Sequence, residues 1–191
     1  MMNELSFIDL SDPSSIEIDD GPKSIAYFCR NRPVCVNTEL ISQLKEISRK
    51  LSGERNIRVC LHENPEAKFH NMIILEHKDK YYRPHKHLKK GESFHIIEGL
   101  MGVFAFDDTG VIVDRCLLEP GGSLIYRIEA NTYHAVLPLS NFVIYHEAKL
   151  GPFIGKEDSI YASWAPDGNN SKEVLQYVSG LRQSLETPMK I

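Results

Sequence analysis

No apolar run in the 191-residue chain approaches the roughly 20 residues that cross a bilayer as a helix, which excludes a helical membrane protein. Charge of one sign is also missing. Acidic and basic residues are interleaved to a net −4, giving no electrostatic footprint for nucleic acid or an anionic membrane. Cysteine is scarce and scattered: Cys29, Cys35, Cys60 and Cys116 form no C-x-x-C pair. This argues against a zinc ribbon, a thioredoxin-type redox motif or a disulfide framework, and leaves four free thiols as the expectation. The opening stretch MMNELSFIDLSDPSSIEIDDG is acidic, with neither the basic start nor the apolar centre of a secretory signal, so a cytoplasmic protein is expected. Internal repeats and low-complexity tracts are absent, which excludes solenoids. A chain of this length buries roughly two thirds of its unfolded surface and needs no metal merely to fold.

What is present divides into three segments by period: an extension over 1–56, a β-rich unit over 57–153 and a tail over 154–191. Residues 1–36 read as irregular, with one short apolar run, SIAYFC. The spacing of Leu40, Leu44, Ile47 and Leu51, with Asn37 or Thr38 to cap and Gly53 to stop, predicts an amphipathic helix over 37–52. From residue 57 the pattern changes to short runs rich in β-branched and aromatic residues: NMIILEH, YYRPHKH, SFHIIEG, MGVFAFD, VIVDRCLL, SLIYRIE, HAVLPL and FVIYHEAKL. Turn signals such as DDTG and EPGG separate them. The fold class expected is mainly β, an antiparallel double-sheet sandwich or barrel. A second helix, EVLQYVSGLRQSL, follows, with Val174, Tyr177, Val178, Leu181 and Leu185 on one face to pack on the barrel or on a second subunit.

Chemistry concentrates in RPHKHLKKGESFHIIEG, residues 83–99. Side chains two apart on a strand share a face, so His85 and His87 aim at one object. Glu92 follows, and His134 heads a later strand beyond the EPGG turn. Three imidazoles and one carboxylate suit a single divalent transition ion, with zinc, iron, manganese and nickel all compatible.

The spacing H-x-H-x4-E-x6-G, from His85 to Gly99, resembles the first sequence motif of the cupin superfamily, and IEANTYH, ending at His134, stands where the second motif belongs. In order along the chain, RVCLHENPE, YRPHKH, ESFHIIEG, YRIEANTYH, EAKLGPF and WAP look like the WbuC-type cupins, small bacterial proteins encoded among surface-polysaccharide genes. The resemblance covers about residues 57–167. It implies a cupin (jelly-roll) barrel, metal ligation by His85, His87, Glu92 and His134, and pairing into a homodimer. Three positions depart from the superfamily pattern. Asp79 replaces a frequent glycine, and Glu129 and Asn131 replace the proline and glycine of the second motif. Asn tolerates a left-handed φ better than other non-glycine residues, so Asn131 can keep the turn.

Beyond the four ligands, Tyr126, Tyr133 and His146 are candidates for proton transfer, and Arg127, His95 and Glu147 for substrate contact. A regular strand turns His95 to the face opposite Glu92, and at most one of the adjacent His146 and Glu147 faces a cavity. With open positions on the ion, the expected partner is a small polar molecule, such as a sugar or nucleotide sugar. The chemistry expected is metal-dependent isomerisation or epimerisation beside a carbonyl, with a cupin-type dioxygenase or a non-catalytic metal- or sugar-binding module as alternatives. The link to O-antigen or lipopolysaccharide synthesis comes only from the resemblance.

Overall fold

The computed structural model describes residues 7–21, 24–30, 33–78 and 80–186; Asp79 lies outside them. Among the described residues, twelve strands form two sheets. β1 (Ile16–Asp20), β2 (Ser24–Cys29), β3 (Asn56–Cys60), β4 (Phe69–His77), β6 (Glu92–Glu98), β9 (Ile125–Ile128) and β11 (Phe142–Leu150) make a seven-stranded sheet in the order β1-β2-β3-β4-β11-β6-β9. β5 (His85–Lys86), β7 (Met101–Phe106), β8 (Ile112–Leu118), β10 (Tyr133–Pro138) and β12 (Ile160–Tyr161) make a five-stranded sheet in the order β12-β5-β10-β7-β8. Helix α1 (Thr38–Lys50) and helix α2 (Ser171–Glu186) flank them. This is the mainly β, double-sheet jelly-roll architecture with a helix near each end that the sequence predicts.

The layers run α1, large sheet, small sheet, α2, and each boundary is a hydrophobic core. Between the sheets, Met72, Ile74, Phe94, Ile96, Met101, Val103, Val143 and Tyr145 interlock. On the outer face of the large sheet, Ile57, Val59, Ile73, Leu75 and Ile144 receive Leu40 and Leu44 of α1. On the outer face of the small sheet, Phe104, Phe106, Ala135 and Leu137 receive Leu181, with Tyr177, Val178 and Leu185 alongside. Strands covered on both faces read as continuous apolar runs rather than alternations, which explains MIIL in β4. The second helix therefore packs on its own barrel, with Leu185 Cδ1 2.9 Å from where a Cβ on Gly102 would stand.

Two local expectations are met in detail. Asn37 caps α1, its side chain accepting from Leu40 N at 3.0 Å. Asn131 adopts φ 61° in the turn before His134. The segment expected to be irregular differs. Ile16–Asp20 and Ser24–Cys29 are strands, and β2 runs parallel to β3 from Ser24 against Asn56 to Phe28 against Cys60. A parallel pair needs a crossover of a dozen or more residues, and α1 supplies it. No helix among the described residues is long and apolar enough to cross a membrane.

Candidate metal centre

The four residues singled out by spacing meet between the sheets. His85 lies on β5 and His134 on β10, directly opposite one another in the antiparallel ladder. Glu92 opens β6 in the facing sheet, against Ile128 of β9 and Lys149 of β11. His87 follows β5, and its carbonyl accepts from Asn131 N at 2.7 Å, tying the first histidine pair to the turn that delivers His134. One ligand atom from each of His85, His87, Glu92 and His134 falls within 4.8 Å of every other. That is close to the span of a coordination sphere with metal–ligand bonds of about 2.1 Å. His87, Glu92 and His134 are only 2–3% exposed.

Hydrogen bonding fixes how the rings face. His134 Nδ1 lies 2.9 Å from Thr132 O, His85 Nδ1 3.4 Å from Arg83 O, and His87 Nδ1 contacts Asp158 O. A carbonyl only accepts, so each Nδ1 carries the proton and each Nε2 is left with its lone pair. Two of those lone pairs meet acceptors: His134 Nε2 is 3.0 Å from Glu92 Oε2, and His87 Nε2 is 2.9 Å from Glu92 Oε1. His87 Nε2 is buried without a hydrogen-bond partner of suitable geometry. Lone pairs set against a carboxylate in a buried site call for a cation between them, a proton or a metal ion. The donor set and the orphaned nitrogen both fit a transition ion.

Charge at the site centres on Glu92. Burial alone would raise the Glu92 carboxyl, but the Lys149 charge and the contacts from His134 and His87 outweigh it and hold Glu92 well below the usual carboxylate range. Burial, helped by His134, lowers His85 to about 3, so it stays neutral. Burial opposes protonation of His87 too, yet the Glu92 carboxylate raises its pKa. Lys149 is a further cation at this spot. Its Nζ lies 2.9 Å from Glu92 Oε1 and 3.0 Å from Glu147 Oε1, and these two carboxylates overcome burial to raise it.

The cluster opens on a cavity of about 350 Å³ between the sheets. Of the further sequence candidates, Glu147 lines it, and the others are placed elsewhere. His146 and His95 pair across β11 and β6 on the outer face of the large sheet, with His146 Nε2 3.0 Å from Asn71 Oδ1. Tyr133 packs against Trp164 and under Lys86 on the outer face of the small sheet. Tyr126 donates to Asp114 Oδ2 at 2.5 Å, and Arg127 makes an exposed pair with Glu129 at 3.2 Å. The cavity walls instead include residues that sequence reasoning passed over: Lys149, Tyr145, Tyr82, Glu76 and Arg58, besides the stacked His62 and His70. Asp158 was missed as well. It is buried, contacts His87 and pairs with Lys90. Alternation along YHEAK puts Tyr145, Glu147 and Lys149 on one face, and that was the available signal.

Fold and centre together define a double-sheet β-barrel with an internal three-histidine, one-carboxylate cluster able to hold a metal ion. Residues 36–118 match the model of a domain of unknown function (DUF6016), a span that includes His85, His87 and Glu92 but not His134. No curated protein matches the sequence. Among solved structures, the chain is similar to the capsular polysaccharide assembling protein CapF from Staphylococcus aureus, at 12% identity over 53% of this chain and 28% of that one, TM-score 0.46. It is also similar to KdgF from Halomonas sp., at 14% identity over 51% and 81% of the two chains, TM-score 0.41. A third is the formate complex of Lactobacillus farciminis oxalate decarboxylase, at 14% identity over 64% and 35%, TM-score 0.41. The chain spans under a third of the CapF structures.

Proposed function

We propose that this protein is a metal-dependent cupin of the WbuC type that acts on a small polar, sugar-derived molecule in surface-polysaccharide synthesis in the cytoplasm, working as a homodimer. The observation that carries the metal reading is that His134 Nε2 and His87 Nε2 both meet the buried Glu92 carboxylate, with a ligand atom of His85 within 4.8 Å of all three. The pathway and the dimer follow only from the motif resemblance. His85, His87, Glu92 and His134 would hold one divalent ion, which supplies Lewis-acid stabilisation of charge on a carbonyl-derived oxygen. Around it the chain's own groups have distinct work. The three backbone carbonyls orient the imidazoles, the apolar walls exclude water, and Lys149 and Glu147 stand where a proton can be held or moved beside the bound molecule.

A non-catalytic binding module is the second reading. It is favoured by the placement of His95, His146 and Tyr133 on outer faces, which removes three proposed proton carriers or substrate contacts from the centre. Metal-loaded protein incubated with aldoses and ketoses in deuterium oxide separates the readings. Deuterium entering beside the carbonyl supports isomerase or epimerase chemistry, and oxygen uptake by the iron form with these sugars supports the dioxygenase alternative. Binding with neither leaves the module.

A further inference from the structure

The cavity that opens from the histidine–glutamate cluster carries a second polar group formed by Arg58, Glu76, Tyr82 and Tyr145. Alternation places it there. On β4, Met72, Ile74 and Glu76 turn inward, and on β11, Tyr145, Glu147 and Lys149 do the same. Strand register orders them. Lys149 stands beside Glu92, whereas Tyr145 pairs with Ile74 and Val143 with Glu76, so the second group lies further along the same channel. Tyr145 is four residues from Lys149, about 13 Å of strand, and inward-reaching side chains shorten the gap. Apolar walls of Phe28, Met72, Ile74 and Phe94 complete the cavity.

Glu76 is the unusual member. It is 7% exposed, and its Oε2 is buried with no hydrogen-bond partner. A lone carboxyl oxygen in an apolar cavity costs stability unless something meets it. Tyr82 and Tyr145 hydroxyls face the same carboxyl, and the buried Arg58 Nε is likewise unpartnered. Burial pushes the Glu76 carboxyl up to about 8, against the hydroxyls and the Arg58 charge. At neutral pH it therefore keeps its proton, and it can donate one hydrogen bond and accept another, which is the requirement for reading a hydroxyl group.

We propose that Glu76 is a ligand-recognition residue, whose free Oε2, with Tyr82 and Tyr145 beside it, hydrogen-bonds the hydroxyl-bearing end of a six-carbon polyhydroxy acid whose carboxylate end lies at the histidine–glutamate centre. This rests on the reading of that centre as a metal site. A metal with open positions takes the hydroxy-carboxylate head. The cavity lies at the small end of ordinary ligand pockets, roughly 300–1,000 Å³. Protonated Glu76 and the Tyr82 and Tyr145 hydroxyls then offer donors and acceptors to the hydroxyls of the tail.

The test is calorimetric titration of zinc-loaded protein with sodium gluconate and with sodium glycolate, which shares the hydroxy-carboxylate head but has no tail. The native protein should bind gluconate at least tenfold more tightly, the worth of one or two buried hydrogen bonds. Glu76→Leu should abolish that preference while leaving zinc stoichiometry and glycolate affinity unchanged. Glu76→Gln, which keeps a donor and an acceptor, should retain most of it. Tyr145→Phe, which preserves shape, should weaken gluconate several-fold and glycolate not at all, and it carries the test if Glu76→Leu fails to fold. Zinc bound at one equivalent with no gluconate preference, with an unchanged preference in Glu76→Leu, or with neither acid bound overturns this proposal and leaves the metal centre standing. Failure of zinc to bind the native protein overturns both.

Discussion

His134 lies directly across the β5–β10 ladder from His85, their ring centroids 4.7 Å apart, although 48 positions separate them in the chain. That pairing brings the two sequence motifs into one site. It depends on a turn in which Asn131 adopts a left-handed φ and donates its amide to the His87 carbonyl. Asn131→Val, a β-branched residue in that conformation, is expected to destabilise the protein by at least ~1 kcal/mol, while Asn131→Gly is tolerated. Urea unfolding of both variants checks this.

Lys149 holds two buried carboxylates, Glu92 and Glu147. Lys149→Met leaves both without their cation and should cost about 3–5 kcal/mol in metal-free protein. A bound ion would take over the charge of Glu92, so the loss should shrink when zinc is present. Denaturation with and without zinc measures the difference. Equal losses in the two conditions would mean that Glu92 does not face the ion.

Glu76 gives a pH dependence of definite sign. Its carboxyl holds a proton up to about pH 8 when folded, against the ordinary 4.5. The folded chain therefore binds more protons between these values, and stability falls as pH rises through that window. The groups facing Glu76 are Arg58 on β3, Tyr145 and Glu147 on β11, and Tyr82. Arg58 and the hydroxyls favour ionisation, and Glu147 opposes it. Glu76→Gln should flatten the loss between pH 5 and pH 9. Parallel curves for the native protein and the variant would contradict this.

How much of this was legible in the sequence differs from residue to residue. His85, His87 and Glu92 could be read because a strand and the loop after it fix their spacing locally. The pairing of β2 with β3 could not, because SIAYFC is buried on both faces and shows no alternation to mark it as a strand. Tyr145, Glu147 and Lys149 were visibly on one face, but alternation does not say which face points inward, so His146 and Glu147 were equal candidates until the register was seen. Glu76 alternates with Met72 and Ile74 on β4, but MIIL is apolar on both faces and hides which one is inward, and Tyr82, in the segment between β4 and β5, belongs to no spacing pattern.

Asp158 positions His87 from outside the ligand set. Its carbonyl meets His87 Nδ1, and its carboxylate pairs with Lys90. Asp158→Ala frees the turn that carries this carbonyl and should weaken metal affinity by roughly 10–100-fold without removing a ligand. Competition with a chelator of known affinity measures it.

The central claim is that these four residues hold one metal ion. The most direct measurement is elemental analysis of protein purified without added metal or chelating resin, beside His87→Ala and His134→Ala. The account predicts close to one equivalent of zinc, iron, manganese or nickel in the native protein and almost none in either variant. A native protein that stays metal-free even after reconstitution, or variants that keep their metal, would contradict it.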